Sequence, residues 1–136
     1  MTTVVRLVTH VDLEGSTATT LSVSARLEAV LADGRGLVLL DDRGWTSSWL
    51  STAGDSPEFS DEDFEETARM VVGPDEPADD ETPEQAAAGH WGYLADSLTR
   101  RGAATDARSL ERLPHDVVLS ERLHAWVRDQ DPQVAG

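Results

Sequence analysis

From Leu21 to Leu31 every second residue is apolar. Leu21, Val23, Ala25, Leu27, Ala29 and Leu31 share one face, and Ser22, Ser24, Arg26 and Glu28 the other. That period of two predicts a strand with one face buried. Val4 to Asp12 reads as an earlier strand, with Val5, Leu7, Thr9 and Val11 on one face and Arg6 and His10 on the other. Asp33-Gly34-Arg35-Gly36 supplies residues that tolerate positive φ, as a tight hairpin demands. The apolar run Leu37 to Leu40 predicts a strand covered on both faces, and Trp45, Ser47 and Trp49 extend the sheet after Gly44.

Beyond residue 50 the period lengthens. Ser60 caps a short helix whose first turn carries Asp61, Glu62 and Asp63, placed well for the helix dipole. Near Arg69 the β-branched pair in Met70-Val71-Val72 suggests a short strand, and Gly73 to Pro77 reads as a loop. The strongest helix signal runs from Pro83 to Arg101. Thr82 and Gln85 form a capping box, Pro83 takes the first turn, and Ala87, Trp91, Leu94, Ala95 and Leu98 make one stripe before Gly102. Gly89 and Gly92 interrupt it at about 1 kcal/mol each relative to Ala, either for close packing or for no structural reason. A short helix follows Asp106 and ends before Pro114; a last one follows Ser120, with Leu123, Trp126 and Val127 inward.

These elements predict an α+β fold: an N-terminal antiparallel β-meander of three or four strands packed against C-terminal helices, with the faces bearing Trp91 and Trp126 lying on the sheet. The expectation is one domain over residues 1–136, made of the meander (1–50), an acidic segment of loop and short helix (51–82) and a helical part (83–136).

Charge then divides the chain differently. The formal net charge is −15. Residues 1–50 hold six acids and four arginines, residues 91–136 seven acids and six arginines, but residues 51–90 hold thirteen acids and one arginine. A nucleic-acid backbone or an anionic membrane is disfavoured as partner, because both call for a basic surface. The acidic stretch matches no calcium loop: counted from Asp61, Glu66 stands where glycine is required and Val72 where the last ligand belongs.

The chain has no Lys, Asn, Ile or Cys, a bias expected of a GC-rich bacterial genome. Disulfides, thiolate chemistry, iron–sulfur clusters, Walker-type phosphate loops and Schiff bases are therefore excluded. No basic head followed by a long apolar stretch marks the N-terminus, and the longest aliphatic run is Leu37 to Leu40, so cytoplasm is the expected location.

Few residues suggest chemistry. Asp12-Leu13-Glu14-Gly15-Ser16-Thr17 resembles the first metal-binding motif of class III nucleotide cyclases, with Gly54-Asp55 about where the second metal Asp would stand. The resemblance covers some eight residues; the Asn and Lys of such enzymes are absent, and a strand hairpin stands where their helices belong. The string is read instead as a polar turn, residues 12–20, between two strands. The histidines His10, His90, His115 and His124 are the acid–base candidates. His10 reads as an exposed strand residue, His90 as the edge of a core, and His115-Asp116 as a loop. Glu121 and His124 form only half of a carboxylate-bridged metal motif.

The reading is a non-catalytic protein-binding module with no cofactor and no metal. A basic protein partner would meet Asp61, Glu62, Asp63, Glu65 and Glu66, or the segment of Arg43, Trp45 and Trp49, since Trp and Arg dominate interface hot spots. An edge strand or the tryptophan segment could support a homo-oligomer. The alternative is an enzyme or small-ligand binder with a pocket between sheet and helices, using Asp12, His115 and Asp116.

Overall fold

The computed structural model describes residues 2–17, 19–48 and 60–130; Trp49, Asp55 and the rest of 49–59 lie outside them. Strands β1 (Thr2–Ser16), β2 (Thr20–Leu31) and β3 (Gly36–Ser48) form the antiparallel meander. Helices α1 (Asp61–Val71) and α2 (Pro83–Arg100), strand β4 (Ala103–Ala104), helix α3 (Ala107–Arg112), strand β5 (His115–Leu119) and helix α4 (Glu121–Gln130) follow. The fold is α+β, an N-terminal antiparallel sheet followed by C-terminal helices, as the pattern predicts.

β2 is the strand that the alternation describes best: every second residue from Leu21 to Leu31 is buried. Gly34, at φ 91°, closes the hairpin to β3, and Leu31 N–H donates to the Arg35 carbonyl (2.8 Å). β1 departs from its pattern. A bulge between Val4 and Arg6 resets the phase, so Val4 enters the core and Val5 stays 43% exposed. β1 also runs on to Ser16 through a second irregularity near Glu14, which confines the turn to the residues after Ser16 rather than to 12–20.

β3 is an edge strand and is not covered on both faces: Leu37, Leu39 and Leu40 are half-buried and Val38 is exposed. Two register shifts opposite Ala25–Glu28 set Leu37 and Leu40 against Ala29 and Leu27, so a continuous apolar run still serves one core face. A Cβ on Gly44 would stand 2.4 Å from the Val23 carbonyl oxygen, so glycine is required at this close approach.

The C-terminal part is not purely helical. β4 and β5 pair in parallel with the free side of β1, placing His115–Leu119 beside Leu7–Val11. His115-Asp116 is therefore strand and not loop. Met70-Val71-Val72 is likewise not a strand: α1 continues to Val71 because helix brings Val72 into the core with no exposure, which outweighs local β preference. Gly89 and Gly92 serve no packing purpose, since a Cβ at either meets nothing within 4 Å.

The helices cover one sheet face in two clusters. α2 and α3 bring Leu94, Leu98 and Leu110 onto Leu7, Leu27 and Leu31, with Trp91 half-buried beside them. α1 and α4 bring Phe64, Ala68 and Leu123 onto Val11, Leu21, Val23 and Leu119, with Trp126 and Val127 alongside. Among the described residues, no helix is long and apolar enough to cross a membrane.

Candidate functional site

The acidic segment folds into a surface because α1 has only one apolar stripe. Phe64 and Ala68 are buried, which turns Glu62, Glu66 and Met70, spaced four apart, outward; Met70 is 72% exposed. Some acids have local work. Asp63 completes the capping box with Ser60, and Asp61 pairs with His124 Nδ1 of α4 (3.5 Å). Glu62, Glu65 and Glu66 hold no ion pair among the described residues. The following loop is exposed throughout Asp75 to Thr82, as is the first turn of α2 at Pro83 and Glu84. Among the described residues, Asp75 is the one of the loop's acids tied back to the sheet, to Arg43 Nη1 on β3 (3.0 Å), while Glu81 accepts only from Ala78 N within the loop (3.4 Å).

The recognition segment on β3 divides. Arg43 is occupied by Asp75, and Trp45 is half-buried, packing on both core clusters with its ring 6.3 Å from that of Phe64. Neither side chain stands free as an anchor, and Trp49 lies outside the described residues.

Asp12, His115 and Asp116 do not converge. Asp12 accepts from Ser120 Oγ (2.6 Å), Arg122 Nη2 (2.9 Å) and Leu13 N (2.8 Å), while Ser120 Oγ accepts from Leu123 N (3.2 Å). It therefore pins the start of α4 to β1. Arg122 first, then Ser120, hold its carboxyl below the ordinary aspartate range, with burial opposing. Asp116 shares the sheet face of Asp12 but lies towards the other end of β1, level with Val8, paired with Arg6 at 3.3 Å and exposed.

His115 turns inward. Its Nε2 lies 2.6 Å from Thr9 Oγ1, and Thr9 is the one fully buried polar residue described in the core. Burial, then the nearby Arg69 guanidinium, push the imidazole below the usual histidine range, with Asp116 opposing. A hydroxyl beside an imidazole is the start of a nucleophile–base pair. Here the hydroxyl has no exposure, so no substrate reaches it. A polar residue on an otherwise apolar strand face must find a partner, and Thr9 was the signal in the sequence for this contact.

The remaining histidines are scattered. His10 pairs with Glu28 across the outer sheet face (3.6 Å), and His90 Nε2 donates to the Val72 carbonyl at the end of α1 (3.0 Å). His124 meets Asp61 rather than Glu121. Among the described residues no group of three or more His, Asp or Glu is placed to hold a metal ion. A groove of about 470 Å³ lies between α2 and α3, lined by Ala87, Ala88, Trp91 and Ala107 among others, and includes none of the candidate residues.

No protein-family model, no curated protein and no solved structure matches this chain.

Proposed function

We propose that this chain is a non-catalytic binding domain that docks a basic protein partner on the outer face of α1 and the loop of residues 75–82. One observation carries the reading. The carboxylates of Glu62, Glu65 and Glu66 stand on a helix seated on the sheet and hold no ion pair among the described residues, whereas Asp12, His115 and Asp116 are each engaged elsewhere and apart. Unpaired surface acids raise the encounter rate with a cationic partner, and Met70 adds an exposed apolar contact at the end of the stripe.

The test is capture by the immobilised chain from a lysate, compared with its Glu62→Gln, Glu65→Gln, Glu66→Gln triple variant. Asp61 and Asp63 are left intact because they hold the helix. A basic protein captured by the parent chain, lost by the variant and weakened at about 0.5 M salt is the expected result. Equal capture of the same proteins by both chains would sink the reading.

A further inference from the structure

The acidic helix is not seated by apolar contact alone. Phe64 and Ala68 pack in one core cluster and Val72 in the other, so α1 crosses the boundary between them. Thr9 of β1 and His115 of β5 meet on the same sheet face, and Arg69 of α1 donates through Nη2 to the His115 carbonyl (3.3 Å). We propose that His115 is a proton-operated latch for α1: with the imidazole neutral the helix is seated, and with it charged the C-terminal half of α1 leaves the sheet. This regulates the docking surface proposed above and rests on that reading.

The charges around the ring decide the direction. From α1 comes Arg69, a cation that repels an imidazolium. From β1 comes Thr9, a hydroxyl that can accept a hydrogen bond but brings no compensating charge. From β5 itself comes Asp116, whose attraction is reduced because it lies on the opposite sheet face and pairs with Arg6 of β1. A proton on His115 therefore adds a second cation beside Arg69 in a half-buried place, and the system relaxes by letting water in where α1 lies. His90 of α2 works in the same sense at the end of the helix. Burial holds it neutral against the Val72 carbonyl, with Arg43 adding to that preference and Asp75 opposing it. At the other end Asp61 pairs with His124 of α4 (3.5 Å), which tethers the first turn while the last turns release.

The sign follows from linkage. An unfolded histidine titrates near about 6.5, and both rings at the C-terminal half sit lower in the fold. Their contribution is full above that value and is lost as pH falls from it toward their lowered values.

Amide hydrogen exchange of the free, full chain at about pH 7.5 and about pH 5.5, corrected for intrinsic rates, tests the latch. Peptides covering 64–72 are expected to lose protection in acid, by up to roughly tenfold for each pH unit between 6.5 and the ring's own value, while β1 and β2 stay protected. His115→Gln, which keeps a group able to bond Thr9 but takes no proton, is expected to cut the response to the part that His90 supplies. Unchanged protection of 64–72 in the parent chain, or the same acid loss in His115→Gln, overturns the proposal. Should that variant not fold, the ring titrations of the parent chain decide by NMR. A His115 C2–H titrating below a free histidine, followed by amide shifts of 64–72, supports the latch; a titration at or above the free value overturns it. No partner is present in these measurements, so their failure leaves the capture result standing, and the reverse.

Discussion

The two halves of the core share one sheet but are held in different ways. α2 is long, capped at its start by Thr82 and Gln85 and closed after Arg101 by Gly102 at φ 89°, and it lays Leu94, Ala95 and Leu98 on the sheet. α1 and α4 are short, and their ends are pinned by side chains: Asp12 to Ser120 and Arg122, His124 to Asp61, Arg69 to the His115 carbonyl. The first arrangement depends mainly on apolar area, which pH and salt hardly change. The second depends on protonation states. The half that carries the acidic surface is thus the half whose shape answers to its medium.

The strongest way to break this comparison is to cut into each core in turn. Leu98→Ala removes a side chain with no exposure from beneath the long helix and is expected to cost about 3–4 kcal/mol in denaturant unfolding. Leu123→Ala, equally buried, is expected to cost less, about 2–3 kcal/mol, because a short terminal helix can settle into the space. Equal losses, or a larger one at Leu123, would remove the asymmetry.

Next in size is the polar pin. Asp12→Ala takes the acceptor from Ser120 and Arg122 and is expected to cost about 1–2 kcal/mol, read as a lowered urea midpoint. Its acid dependence has a definite sign. The folded carboxyl titrates below its unfolded value of about 4, so its contribution is present above that pH and is lost as pH falls through the folded value. The parent chain should therefore lose more stability than Asp12→Ala between about pH 4 and pH 2. Parallel pH profiles for the two proteins would show that Asp12 carries no such linkage.

What was legible in the sequence followed from period and punctuation. β2, the Gly34 hairpin, the cap at Ser60 and the capping box at Thr82 are set by residues close together in the chain. What was hidden depends on partners far away. β5 has only five residues, and its ladder partner β1 begins more than a hundred positions earlier, so no local period announces it. The bulge at Val5 leaves no mark in an apolar run, and Val72 reads as strand until its burial under α2 is known. The candidate site was half legible. Charge counting found the acidic surface, but Asp12 looked available for chemistry because Ser120 and Arg122 stand at the far end of the chain.

A smaller change should strengthen the first half alone. Gly89→Ala places a methyl in open space on α2 and is expected to raise stability by up to about 1 kcal/mol. It should leave the acid response of α1 untouched, since position 89 faces neither His90's carbonyl partner nor the sheet. A thermal scan showing no gain would mean that α2 is limited by something other than backbone propensity.

The smallest expected effect is the most discriminating. Asp116→Asn breaks an exposed pair with Arg6, worth no more than about 0.5 kcal/mol at neutral pH. Yet Asp116 is the group that favours a proton on His115, against burial and Arg69. Without it the ring's folded value falls further below that of the unfolded chain, and the stability lost on acidification grows. A variant equal to the parent at about pH 7.5 but less stable at about pH 5.5 would place His115 in control of the second half of the core. A variant matching the parent at both pH values would mean that the sheet insulates His115 from its own neighbour, and the contrast between the halves would then rest on Asp12 alone.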